Sequence, residues 1–148
     1  MKNGSNMNVN GTQVRVISHL GSDYICISDI AAWKNPFEPK DVVKNWMRSR
    51  ATITFLVLWE RLHNPEIKGV DSDPYLKTAG DNSFTMSPTR WVQDYNAIGI
   101  HNKLGRGGAT YAHKDIAFEF ASWVSPEFKL YLITEFERLK TAEQAQLG

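Results

Sequence analysis

The chain has 148 residues, 42% of them hydrophobic and 11% aromatic, which is enough apolar side chain to fill the core of one domain and too much for a disordered segment. Its formal net charge of +1 singles out no partner, and a single cysteine, Cys26, excludes an internal disulfide. No cationic start leads into an apolar run and no apolar stretch approaches about 18 residues, so neither export nor membrane insertion is indicated and a cytoplasmic setting is expected.

In chain order, the polar, Asn-rich opening over 1–8 is expected to be a disordered tip, with one domain over 9–140 and a frayed polar tail over 141–148. Val14, Val16 and Ile17, then Tyr24, Ile25, Cys26 and Ile27, predict two strands joined by Gly21-Ser22-Asp23, with Cys26 as a small buried hydrophobe. Ser28 is placed to cap a short helix with Asp29 in its first turn, which Asn35-Pro36 ends. Pro39 suits the first turn of the next helix, in which Val42, Val43, Trp46 and Met47 make an apolar stripe. Lys40, Lys44 and Arg48, four apart, lie on another face with Asn45 nearby, an arrangement that any solvated helix surface can also show.

Thr52 to His63 is apolar enough for a packed helix, with Phe55, Leu56, Leu58, Trp59 and Leu62 as core candidates. Residues 64–86 show no sustained period and are expected to be an irregular connection with a short strand or two, for which no function can be argued. Ser87-Pro88 and Ser125-Pro126 each place a capping side chain before a proline at the first helical position. Helices are expected from about 88 to 97 and from 126 to 140, the latter with Phe128, Leu132, Phe136 and Leu139 inward. Between them, two short strands over 100–104 and 109–112 precede a helix over 115–124 that buries Ile116, Phe120 and Trp123.

His101 to Lys114 holds three fixed cations, three glycines and no acid. Gly105, Gly107 and Gly108 let the chain reverse around Arg106, so the segment reads as a tight basic hairpin. The glycine spacing fits neither a phosphate-binding loop nor a dinucleotide fingerprint. The net charge conceals an uneven distribution: residues 40–61 and 101–114 carry +3 each, while 62–88 carry −2 and 115–148 carry −3. If the fold brings the two positive segments to one face, they create a local field suited to a polyanion.

The run from Gly105 through Thr110-Tyr111, His113-Lys114-Asp115-Ile116-Ala117, Trp123 and Ser125-Pro126-Glu127-Phe128 to Leu132 resembles the KilA-N domain of phages, bacteria and large DNA viruses. Ser28-Asp29-Ile30-Ala31 and Asn45-Trp46-Met47-Arg48-Ser49 resemble the family's upstream half. The resemblance implies an α+β fold related to the fungal APSES domain, with helix-turn-helix-like helices, a β-hairpin wing and a small antiparallel sheet. It also implies non-catalytic binding of double-stranded DNA by a phage-derived or mobile-element transcription regulator. Carried over by position, the wing is 103–111 and the second helix of the pair contains Lys44, Asn45, Arg48 and Arg50.

The expected chemistry follows from the side chains. Lys40, Lys44, Arg48, Lys103 and Lys114 would neutralise phosphates, Arg106 at the wing tip would enter a narrow minor groove, and Asn45 and Arg50 would meet base edges. Gly105, Gly107, Gly108, Tyr111 and His113 complete the wing; Trp46 and Tyr111 either stack on the nucleic acid or belong to the core. His113, Asp115 and Glu119 lack a further ligand at recognisable spacing, and His113 near a helix start suits capping or contact, so no catalytic residue, metal or cofactor is expected. The competing reading is a protein-interaction module of antirepressor type, with Trp59, Trp91 and the last helix forming an apolar patch for a partner or for self-association.

Overall fold

A computed structural model describes residues 4–103 and 108–147; Gly105, Arg106 and Gly107, expected to form the wing turn, lie outside the described residues. Strands β1 (Gly4–Val9), β2 (Thr12–His19), β3 (Ser22–Cys26), β4 (Ile100–Lys103) and β5 (Ala109–His113) form one five-stranded antiparallel sheet in the order β1-β2-β3-β5-β4. The helices are α1 (Ile27–Lys34), α2 (Pro39–Met47), α3 (Arg50–His63), α4 (Pro88–Tyr95), α5 (Lys114–Val124) and α6 (Pro126–Leu147). The architecture is α+β.

Alternation builds the first three strands. Met7 and Val9 point inward opposite buried Val14 and half-buried Thr12 of β2, while Asn8, Gln13 and Arg15 face out. Two-residue turns join the strands, Asn10-Gly11 and Leu20-Gly21, with every central φ between 50° and 85°; this hand of turn matches the twist of the strands. Residues 4–8 thus belong to the sheet rather than to a disordered tip, because Asn10-Gly11 folds them back onto β2.

Helix capping follows local rules at three starts. The hydroxyls of Ser49, Ser87 and Ser125 accept N–H groups of Thr52 (3.1 Å), Arg90 (3.2 Å) and Phe128 (3.1 Å). Ser28 does not cap α1. Its Oγ accepts the N–H of Thr110 at 2.9 Å, and Asp29 takes a bidentate pair from Arg15 at 2.9 and 3.0 Å, so both side chains tie the helix to the sheet.

The main core lies between the inner sheet face and the helices, with Trp46, Trp91, Phe120 and Phe128 fully buried and Trp46 edge-on to Phe120 at 4.9 Å. Trp59 and Trp91 belong to this core and so are not an exposed patch. Leu58 (52% exposed), Leu62 (80%) and Trp123 (48%) stand outside the core that their spacing suggested, because the buried faces of α3 and α5 are rotated toward Glu60 and Ala117. α6 continues to Leu147 instead of fraying at 140, and Lys140 bonds Asp23 and Glu143 at 3.0 and 2.7 Å. Residues 64–86 contain a short 3-10 helix, Pro74–Thr78, and no strand.

The outer sheet face is curled. His19 ends β2 and His101 lies on β4, with β3 and β5 between them in the sheet, yet their rings stack at 4.0 Å. A second small core of Tyr24, Cys26, Ala109 and Tyr111 fills the concavity.

Candidate nucleic-acid interface

Helix α2 buries Val42, Val43, Trp46 and Met47 and leaves Lys40, Asp41, Lys44 and Asn45 as an exposed ridge. The side chains of Lys40, Lys44 and Asn45 have no hydrogen bond or ion pair among the described residues. Cations already committed to a neighbouring oxygen must give it up to bind phosphate; these two lysines need not.

The ridge stands between two hollows. On one flank a 380 Å³ cleft is lined by Ser28, Lys40, Lys44, Thr89, Asn102, Gly108 and Thr110. It separates α2 from the start of α4 and from the β4–β5 hairpin, which Thr110 fixes twice: through its N–H to Ser28, and through its hydroxyl to Asn102 Oδ1 at 3.0 Å. On the other flank a 410 Å³ hollow is lined by Asp41, Lys44, Asn45, Arg48, Arg90 and residues 85–87.

The remaining candidates divide. Arg48 gives Nη2–H to Asn82 O at 2.9 Å and Nε–H to Phe84 O at 3.3 Å, and Arg50 gives Nη2–H to Lys77 O at 2.9 Å. Both guanidinium groups therefore hold the 64–86 connection, and Arg50 opens α3 instead of sharing a helix with Lys44 and Asn45, so its guanidinium is directed to the connection and not along the ridge. Lys103 turns to the opposite side of β4 from Asn102, into a 290 Å³ hollow shared with Arg15, Ile17 and Tyr111. Lys114 pairs with Asp115 at 3.3 Å and lines neither hollow beside α2.

Tyr111 is 2% exposed and packs with Tyr24 and Cys26 beneath Arg15, so it presents no free ring for stacking; Trp46, at 1%, is core as well. His113 is buried, and its Nδ1 accepts the Asp115 N–H at 3.1 Å, making it the N-cap of α5. Burial lowers its pKa from the ordinary 6.5, consistent with a neutral acceptor nitrogen. The same desolvation pushes the Cys26 thiol up to about 11, which leaves it a neutral packing group.

Two residues were not singled out by the sequence. Arg90 lines the 410 Å³ hollow, lies over the Tyr75 ring at 4.3 Å and pairs with Asp94 at 3.1 Å; that same Asp94 cancels it in a count of charge by segment. Glu60 is fully buried and accepts the N–H groups of Ile98 (3.0 Å) and Gly99 (2.7 Å) and the amide of Asn64 (2.9 Å). It fixes α3 to the turn between α4 and β4, and hence both far walls of the cleft to the helix that follows the ridge. No sequence signal marks it, because its partners are backbone groups of a distant turn.

An α+β domain that presents a basic helix ridge beside a sheet hairpin belongs to a class found among DNA-binding proteins. The sequence model of the KilA-N domain matches residues 8–142, and the chain belongs to the KilA-N domain family, generally a DNA-binding domain of phage and viral proteins. Protein kilA of Escherichia phage P1 is 33% identical over 61 residues, covering 38% of this chain and 23% of that protein. The matched stretch thus spans less than a quarter of that relative. No solved structure shows a significant match to the chain, and no helix among the described residues is long and apolar enough to cross a membrane.

Proposed function

We propose that this chain binds double-stranded DNA without catalysing a reaction on it, as a phage-derived or mobile-element transcriptional regulator. The observation that carries the reading is the α2 ridge, where Lys40 and Lys44 stand uncommitted beside Asn45 on a KilA-N domain. Lys40 and Lys44 neutralise phosphates and release their counterions, and Asn45 offers the amide that suits an adenine edge. The β4–β5 hairpin forms the wall beside them, with Arg106 expected at its tip. Arg48 and Arg50 act indirectly in this reading, by holding the connection against α2.

The test is fluorescence anisotropy with a mixed-sequence duplex and its single strand at two salt concentrations. Duplex binding that weakens with salt, and a salt slope reduced by about one in Lys44→Ala, are expected. Binding that survives charge reversal at both Lys44 and Arg106 at moderate salt would place the DNA elsewhere. Absence of duplex binding even at low salt would favour the interaction-module reading, for which Leu130 and Tyr131 on the last helix, α6, and Leu58 and Leu62, one turn apart on α3, offer exposed apolar surface.

A further inference from the structure

The connection over 64–86 is held far more firmly than an irregular, net acidic loop requires. Arg48 and Arg50 spend three guanidinium bonds on its carbonyls, and Gly80 returns an N–H to Arg48 O at 2.9 Å. Arg90 covers Tyr75, whose hydroxyl in turn bonds both the N–H (2.8 Å) and the carbonyl (3.0 Å) of Thr85. Leu76, Phe84 and Met86 anchor it in the core. Gly80, at φ +94°, supplies a backbone conformation that side-chain-bearing residues rarely adopt, in van der Waals contact with the start of α3.

What this anchoring presents is a short exposed stretch, Asp81, Asn82 and Ser83, with Thr85 just beyond it. The carbonyl of Asn82 is bonded to Arg48, the residue that ends α2, and Thr85 lines the 410 Å³ hollow against Lys44 and Asn45. The stretch therefore stands on the flank of the ridge away from the hairpin, and its Asn82 side chain has no hydrogen bond among the described residues. A duplex laid on the ridge meets a wall on each side.

We infer that Asn82, Ser83 and Thr85 form a third DNA-contacting element, opposite the hairpin, pre-organised by Arg48, Arg50 and Arg90; this rests on the DNA-binding reading of the ridge. Pre-organisation matters because a contact made by an already ordered segment does not lose its ordering entropy on binding. The exposed carboxylate of Asp81 then sets a restraint: within a Debye length of the phosphates it opposes binding, so it selects the backbone path that keeps away from it.

Site-directed photocrosslinking of the full chain tests this, because Cys26 is fully buried and an introduced cysteine is the reactive thiol. Asn82→Cys, Lys44→Cys and Gln144→Cys, the last on the tail of α6, each carry an azidophenacyl label and are irradiated with a mixed-sequence duplex at low salt. Crosslinks from Asn82→Cys and Lys44→Cys but not from Gln144→Cys are expected. Crosslinks from Lys44→Cys with Asn82→Cys at the Gln144→Cys level would overturn the third element and leave the ridge standing; none from either would overturn both. Asp81→Asn should raise duplex affinity about threefold at about 0.05 M salt, whereas Glu137→Gln on α6 should not. Equal affinity of Asp81→Asn and the unmodified chain would overturn the inference independently of the crosslinks.

Discussion

Replacing Glu60 by glutamine keeps its shape and opens no cavity, so it isolates the carboxylate's hydrogen bonding. In the native fold Oε1 accepts from Ile98 and Asn64, and Oε2 accepts from Gly99 at 2.7 Å. A glutamine has one acceptor oxygen. If that oxygen takes the place of Oε1, an NH2 group faces the Gly99 N–H, and a buried donor is left unsatisfied at a cost of about 1–3 kcal/mol. The bonds that remain lose their charge assistance, worth about 1 kcal/mol together, and relief from burying a charge offsets part of the sum. The expected net loss is about 2 kcal/mol, or a fall of about 4–8 °C in Tm for a domain of this size. Urea unfolding followed by tryptophan fluorescence reads it as a lower midpoint at constant slope. A loss below about 1 kcal/mol would show that the carboxylate does not clamp α3 to the turn before β4. Duplex affinity should fall with it, because the far walls of the cleft hang on that turn.

Other expectations are as direct. Lys44→Ala should leave Tm unchanged while weakening duplex binding, whereas Arg48→Ala should lower stability by about 1–2 kcal/mol because two carbonyls of the connection lose their donor; matching effects on Tm would refute this division of roles. Leu20 sits at φ 52° and is 64% exposed, so Leu20→Asn should raise stability by about 0.5–1 kcal/mol, and a lower Tm would refute it. His113 and His19 both have folded pKa values below the ordinary 6.5, chiefly through burial, helped at His19 by neighbouring His101. The unfolded chain therefore binds protons that the folded chain does not: stability is full above pH 6.5 and falls as pH drops through that value toward the folded pKa values. His113→Asn keeps a capping side chain and should flatten this dependence in melts between about pH 7 and 5.

Features governed by near neighbours were legible in the sequence. Ser87-Pro88 and Ser125-Pro126 announce helix starts because a cap needs only its own first turn, and α2's buried stripe follows from its period. The hairpin between β4 and β5 was legible because glycines punctuate it. Features set by distant partners were not. Ser28 and Asp29 look like a helix start in sequence, but Thr110 and Arg15 claim them. Arg48 and Arg50 look like free cations until the carbonyls of 77–84 come alongside, and only the folded sheet decides between stacking and core for Tyr111 and between contact and cap for His113. Of the candidate site, Lys40, Lys44 and Gly108 come together on one cleft and Asn45 and Arg48 line the hollow on the other flank with Lys44, while Lys103 and Lys114 point elsewhere because strand alternation and an ion pair direct them.

The order of the strands constrains how the protein comes into being. β1, β2 and β3 pair through two-residue turns and can form as soon as they are made, but β5 docks on β3 only after the chain has returned from α1 through α4. Closing so long a loop is entropically unfavourable until the enclosed helices have packed. Until that pairing is made the edge of β3 stays open, and the hairpin wall has no strand to stand on. The surface proposed to meet DNA exists only on the finished molecule.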